Sequence, residues 1–264
     1  MGWLADSGRK RCDGILALGT CMRNRLIKRD IAGSKIHVAE NWADGQIIRP
    51  VAWPPAGSPL TVLYSGNLGL AHDVETLQRA VGQLKEDQRF RFIFAGSGAR
   101  RSELEAWCRL ENVQNIEFRP YSSRSLLGES LGSAHIGLIT QRDSCLGSVV
   151  PSKIYGLLAA GRPVLFIGPS ASTVAQIIER FDCGWHVNCG DERRLLHLLS
   201  ELLANPSEIV ASGKRARQAF MENYDRPLGV ERICRLIGAC DREQSRVTFQ
   251  TLATDYDRLP AANG

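Results

Sequence analysis

From Leu60 onward the chain alternates short apolar runs with helical patterns, and this alternation constrains the fold more than any other feature. LTVLYSG (60–66), FRFIFAG (90–96), NIEFRP (115–120), HIGLIT (135–140), PVLFIG (163–168) and GWHVN (184–188) have strand composition. Between them, residues of helical period cover about 72–85, 100–110, 123–133 and 172–181; a further helix follows Pro151, and others run to about residue 240. Strict alternation predicts βαβ units, hence a parallel sheet with helices on both faces and right-handed crossovers. The expected fold class is α/β, a Rossmann-like domain over 60–240.

Outside that domain the pattern is poorer. Asp13–Leu18 reads as a short strand, Cys21–Arg29 as a basic amphipathic helix ended by Gly33, Lys35–Glu40 as a second strand and Asn41–Asp44 as a turn. Two strands and a helix do not bury a core alone, so residues 1–50 are expected to be the remnant of a second α/β domain. VAWPPAGSP (51–59) reads as a linker and the polar 241–264 as a mobile tail. On this division, a chain beginning near Pro59 is expected to be at least as soluble as the whole, because two exposed strand edges are removed.

A hydrophobic fraction of 44% with 23% charged residues is that of a soluble globular protein. The net charge of +5 suits a polyanionic small molecule or an anionic membrane surface and does not single out nucleic acid. No apolar run approaches the ~20 residues that cross a bilayer. MGWLADSGRKRCDG lacks the apolar region of a signal peptide, and Asp6 stands where a myristoylation site wants Ser or Thr. The eight cysteines form no CxxC pair and do not interleave with the five histidines at zinc spacing. Free thiols, no metal and a cytoplasmic location are expected.

Three segments could carry chemistry. In VVPSKIYGLLAAGRPVLFIG, Pro151 fits a first helical turn, Ser152 and Lys153 follow it, Gly161 ends the helix and a buried strand comes next. A lysine at a helix start beside a parallel sheet suits a phosphate, although an ordinary crossover helix with a solvated lysine has the same sequence. In SGNLGLAHD, Gly66 and Gly69 flank Asn67 and let backbone approach a ligand, while His72 or Asp73 can cap the next helix. This is not GxGxxG, and no acid ends the following strand, which weakens a dinucleotide reading. In GSGARR, Gly98 precedes Arg100 and Arg101 at a helix start that normally prefers acids, as if an anion were near or the arginines were simply solvated. His135 reads as core edge, and Leu104 with Trp107 as core.

Taken in order, SGNLGLAHDVETL, IFAGSGARRSEL and VVPSKIYGLLAAGRPVLFIG resemble the C-terminal nucleotide-sugar domain of family 4 glycosyltransferases with the GT-B fold, in particular the exopolysaccharide and O-antigen branch. PSKxYGLLAAGRP is the most specific part and GxG the least, and the likeness covers roughly 12–240. DGILALGTCMRNRLI and KIHVAENWAD resemble the end of that fold's N-terminal domain, which implies that most of the acceptor-binding domain is not in this chain. The resemblance implies that Gly66–Gly69 faces the donor phosphates, that Arg100 or Arg101 lies near them and that Lys153 contacts the pyrophosphate. Catalytic roles therefore fall on Lys153 and Arg100. Donor binding falls on Gly66, Asn67, Gly69, His72, Gly98, Arg101 and Ser152. Many members carry two glutamates eight positions apart, the second binding ribose; here those positions hold Val149 and Gly156. The loop before Val174 lacks an expected glutamate as well.

The resemblance implies a retaining transferase, or its donor-binding part, that moves a sugar from a UDP- or GDP-sugar to a glycan or lipid-linked acceptor. It implies no cofactor, no nucleic acid, at most peripheral contact with the inner face of a membrane, and a separate N-terminal-domain polypeptide as one way to complete the enzyme. The alternative is a non-catalytic nucleotide-sugar-binding fragment or one subunit of a split enzyme. A GT-B-like epimerase fits less well, since no acid/base carboxylates are evident.

Overall fold

The computed structural model describes residues 2–12 and 14–238; the expected tail, Cys240 and Asp13 lie outside the described residues. The chain opens with α1 (Gly2–Arg11), which the sequence pattern did not suggest, then β1 (Ile15–Ala17), α2 (Thr20–Ile27) and β2 (Ile36–Val38). The two strands pair in parallel over a small core of Ala17, Leu26, Ile31 and Ile36. Gly33 does not end α2. The helix closes at Ile27, and Gly33 opens a 3-10 turn.

The main domain follows as β3 (Leu60–Ser65), α3 (Glu75–Gln83), β4 (Phe90–Ala95), α4 (Ala99–Leu110), β5 (Ile116–Arg119), α5 (Leu127–Gly132) and β6 (Ile136–Thr140). It continues through α6 (Lys153–Ala159), β7 (Val164–Ile167), α7 (Thr173–Phe181), β8 (Gly184–Val187), α8 (Glu192–Ala204), α9 (Pro206–Asn223) and α10 (Arg226–Leu236). The six strands β3–β8 are parallel in the order β5-β4-β3-β6-β7-β8, the doubly wound arrangement the alternation predicts. The helix expected over 123–133 is a 3-10 turn followed by the short α5.

Strand residues alternate between two apolar layers. Leu63, Ile139 and Phe166 meet α6, α7 and α9 through Ile154, Val174 and Phe220; Val62, Phe92 and Leu165 meet α3, α4 and α8 through Leu77, Leu104 and Leu199. Both faces are covered, which is why the strands read as nearly unbroken apolar runs. Order reverses between β3 and β6, so the loops leaving their carboxyl ends diverge and open a crevice. The crevice lies where β3 leads to Gly66–Gly69 and β6 to the loop before α6.

Residues 51–59 carry no helix or strand, as expected of a linker, yet they are fastened to the domain. Arg162, only 1% exposed, places one guanidinium nitrogen 3.1, 3.0 and 2.7 Å from the carbonyls of Val51, Ala52 and Gly132, which share its two hydrogens. Its plane lies 4.0 Å from the centre of the Trp53 ring. Burial lowers its pKa to about 10, so it stays charged at neutral pH. Gly161 and Arg162 also close α6, their amides donating to Leu158 and Leu157, each at 3.0 Å. Upstream, Ile48 is buried in the core, Ala43 bridges to Asp225, and Arg226 pairs with Asp44 at 3.1 Å. These contacts argue against the expected gain in solubility on removing residues 1–58: the cut would strip Arg162 of Val51 and Ala52 and uncover the core beside Ile48.

No disulfide joins any of the seven described cysteines. Cys12 is exposed, whereas burial pushes the Cys108 thiol up to about 11 and that of Cys183 up to about 12. Native-state alkylation followed by mass spectrometry is expected to label Cys12 first and Cys108 and Cys183 last. Fast labelling of Cys183 in the folded protein would contradict this burial.

Candidate functional site

The two glycine loops at the crevice are laced backbone to backbone. Gly66 N–H donates to Ala95 O and Leu68 N–H to Ser97 O, both at 2.7 Å, and Arg100 N–H returns to Leu68 O at 3.0 Å. A Cβ on Gly96 would collide with the carbonyl of Gly66, and its φ of +129° is one that side-chain-bearing residues avoid. Gly98 lies against Asn67 and Leu68 in the same way. The GSG motif thus first serves loop packing, and it holds Gly66–Gly69 at the mouth of the crevice.

Gly66 holds φ +133°, a conformation that favours glycine, and the end of the Lys153 side chain lies across the space a Cβ would take. Lys153 begins α6, and its ammonium lies 5.0 Å from the centre of the Tyr64 ring. Desolvation lowers its pKa, and no carboxylate pairs with it among the described residues. Ser152 beside it is exposed, and its side chain makes no capping bond.

His72 does not cap α3; Asp73 does, accepting from Thr76 N–H at 3.0 Å and Thr76 Oγ1 at 2.6 Å. This moves the start of α3 to Glu75 and turns His72 inward. Its Nε2 lies 3.2 Å from the Tyr64 hydroxyl, and its Nδ1 lies 2.9 and 3.1 Å from the carbonyl and Oγ1 of Thr140. The Tyr64 hydroxyl in turn donates to the carbonyl of Asn67 at 2.7 Å. Burial first, and the Lys153 charge second, push the His72 imidazole from 6.5 down to about 4. Because the folded value is the lower one, the unfolded chain takes up this proton first. Stability contributed above about pH 6.5 is then lost as pH falls toward about 4. Urea unfolding across that window should show a shallower pH slope in His72→Gln than in the wild type; equal slopes would discard the effect.

The structure does not bring Arg100 to the crevice as a free cation. Its guanidinium pairs with Glu75 at 2.9 Å and Glu103 at 3.1 Å, with the residue 6% exposed. Arg101 donates to the carbonyls of Gly96 and Arg119, to Glu105 at 2.7 Å, and covers the Phe118 ring. Both arginines brace the glycine loops from behind. Sequence reasoning missed Tyr64, read only as part of a strand, and Arg142, whose Nη2 meets Glu75 at 2.7 Å and whose Nε donates to His72 O at 3.2 Å. An ion pair between residues 67 positions apart leaves no local signal.

Beside Lys153 opens a cavity of about 240 Å³ lined by Leu63, Leu131, Leu138, Ile48, Gly156 and Ser65, among others. No carboxylate lines it; Gly156 is at its wall, and Val149 is exposed on the loop outside. Among the described residues no group of three or more His, Cys, Asp or Glu could hold a metal. No described helix is long and apolar enough to cross a membrane.

A doubly wound domain with glycine loops and a lysine-bearing helix at its switch point defines the class: the fold is that of GT-B glycosyltransferases. Anabaena HepE in complex with UDP-glucose superposes with a TM-score of 0.75 at 13% identity, over 90% of this chain and 67% of that one. Sucrose-phosphate synthase from Thermosynechococcus elongatus gives 0.74 at 17% identity, over 89% of this chain and 61% of that one. The family model of glycosyl transferases group 1 matches residues 50–219, and the chain belongs to that family. Among curated proteins it is 25% identical to the colanic acid biosynthesis glycosyl transferase WcaI of Escherichia coli over 66% of this chain and 45% of that protein. It is 24% identical to the glycosyltransferase WbjE of Pseudomonas aeruginosa over 83% and 56%. The chain thus spans about half the length of these curated relatives.

Proposed function

We propose that this chain binds a nucleoside-diphosphate sugar, a UDP- or GDP-sugar, between Gly66–Gly69 and the start of α6. It would thereby supply the donor side of a retaining glycosyl transfer to a glycan or lipid-linked acceptor in surface-polysaccharide assembly. The observation that carries this reading is the Lys153 ammonium, mostly desolvated at the switch point and facing no carboxylate. A lysine held that way is stabilised by an anion. When the bond from the sugar C1 to the diphosphate oxygen breaks, negative charge grows on the departing nucleoside diphosphate, and a fixed cation there lowers the barrier. Since α6 has only seven residues, its dipole adds little, and Lys153 provides most of the compensation. Arg100 and Arg101 keep the role of holding the loops that face the phosphates.

The names of WcaI and WbjE and the UDP and UDP-glucose complexes of HepE support donor class and pathway type. A peripheral contact with an anionic membrane surface belongs to the same proposal. Residues 1–38 hold eight basic and three acidic residues, a net +5 equal to that of the whole chain, so the remainder is neutral. Isothermal calorimetry with UDP and GDP tests the donor site, and one of the two should bind with unit stoichiometry. Binding of NAD in place of both would overturn it. Transfer to a lipid-linked acceptor is a separate assay: donor binding without transfer by this chain alone agrees with a donor-side role, and robust transfer by the purified chain would show that it does more than supply the donor side.

A further inference from the structure

Tyr64 is 1% exposed near the end of β3, where it is the strand's one aromatic residue, and two of its surfaces are in use at once. One ring face lies under the Lys153 ammonium at 5.0 Å. The hydroxyl at the ring's end donates to the carbonyl of Asn67 at 2.7 Å and stands 3.2 Å from His72 Nε2. The nearest partner of His72 Nδ1 is the Thr140 carbonyl at 2.9 Å, which can only accept, so Nδ1–H donates there and Nε2 is left as an acceptor. The single Tyr64 proton goes to Asn67 O at 2.7 Å, the shorter of its two contacts, with Nε2 beside the hydroxyl at 3.2 Å. This chain of groups runs from β6 across β3 to the glycine loop. It sets the height of the Asn67 carbonyl, and with it the loop, relative to the lysine. The quadrupole of the ring attracts the ammonium without neutralising it, so the charge is seated yet stays available to an anion. A carboxylate in that position would have cancelled it.

We propose that Tyr64 is a positioning residue of the donor site: its ring seats Lys153 over Gly66, and its hydroxyl, backed by His72 and Thr140, fixes the Asn67 carbonyl of the facing loop. The inference rests on the donor reading above and deepens it, assigning to a buried strand residue the aim of the cation that meets the phosphates. It also accounts for two local oddities together. Gly66 leaves room for the lysine stem, and His72 is drawn away from the helix it was expected to cap.

The test compares wild type, Tyr64→Phe and Tyr64→Leu by calorimetry with UDP and GDP, each also in a Lys153→Ala background, with thermal unfolding to show that each variant folds. Tyr64→Phe keeps the ring and should weaken binding about 3-fold, through the lost hydrogen bond to Asn67. Tyr64→Leu removes ring and hydroxyl and should weaken it about 10-fold. In the Lys153→Ala background the same Tyr64→Leu change should cost less than about 2-fold, because a residue acting through Lys153 has nothing left to aim. A merely structural role would instead keep the full loss in both backgrounds, and that result, or wild-type affinity in Tyr64→Leu, overturns the proposal. A second readout needs no nucleotide. Acylation of Lys153 followed by mass spectrometry should be slow in wild type and Tyr64→Phe and faster in Tyr64→Leu; equal rates would dispose of the ring seat even if the leucine variant bound nothing. Failure of wild type to bind either nucleotide, with Lys153 still protected by the ring, would strike the donor reading and leave the seat standing.

Discussion

Replacing Arg162 with alanine is expected to lower the unfolding free energy by about 3–5 kcal/mol, placing it among the most destabilising single changes in the chain. The guanidinium is nearly fully buried, and the carbonyls of Val51, Ala52 and Gly132 converge on one of its nitrogens. Removing it leaves those carbonyls away from water without a donor, which costs about 1–3 kcal/mol for a buried polar group, and opens a void beside the Trp53 ring. Arg162→Lys keeps a charge but loses the planar stack on Trp53, so it should fall between wild type and alanine. Deletion of residues 1–58 attacks the same clasp from the other side, taking away Val51, Ala52, Trp53 and Ile48 together. Urea unfolding followed by circular dichroism reads all three variants. An alanine variant and a deletion that both unfold at the wild-type midpoint would show that the clasp contributes nothing.

Lys153→Ala is expected to weaken nucleoside-diphosphate binding by about 1–3 kcal/mol, roughly a tenfold to hundredfold change in Kd, the range for a hydrogen bond to a charged group. Stability should change little, because the ammonium has no carboxylate to leave behind and the stem lies against the Gly66 backbone. The pH dependence has a definite sign. Burial has already lowered the lysine's pKa, so the ammonium is lost at a lower pH than for an ordinary lysine, and affinity should decline earlier on the alkaline side. Arg100→Gln provides the contrast. That side chain pairs with Glu75 and Glu103, so its loss should appear mainly as reduced stability, with a smaller loss of affinity. Calorimetry giving equal affinities for wild type and Lys153→Ala would remove the lysine from the site.

The strand–helix alternation was legible because each strand is covered on both faces, so apolar runs such as VLFI stand out against polar connections. The start of α6 and its stop at Gly161 were legible for local reasons, a proline before and a left-handed glycine after. The fate of Arg100 and Arg101 was not. Two arginines at a helix start look alike whether an anion or a glutamate faces them, and Glu75 lies 25 residues away in sequence. Tyr64 was hidden for a related reason: strand periodicity reports which face a residue takes and says nothing of a hydroxyl at the tip. That residues 51–59 are fastened to the domain was not legible, because proline-rich composition reports missing secondary structure and the guanidinium that holds them is contributed by Arg162, more than a hundred positions later.

The backbone lacing between the two glycine loops limits how this protein can be redesigned. Gly66 and Gly96 both disfavour a side chain: each holds a left-handed φ, +133° and +129°, and the second also abuts the carbonyl of the first. A mutational library aimed at these two positions would return mostly inactive or unfolded clones, whatever sugar donor it was screened on. On the donor reading proposed above, variation in donor preference would have to enter through walls that have room for it. Gly156 is one such wall, where an added Cβ would make only ordinary contacts with Leu131 and Ile48, at 3.4 and 3.6 Å. A directed-evolution effort would therefore hold the glycine loops fixed as a chassis and diversify the residues of α5 and α6 that line the cavity, such as Leu131 and Gly156.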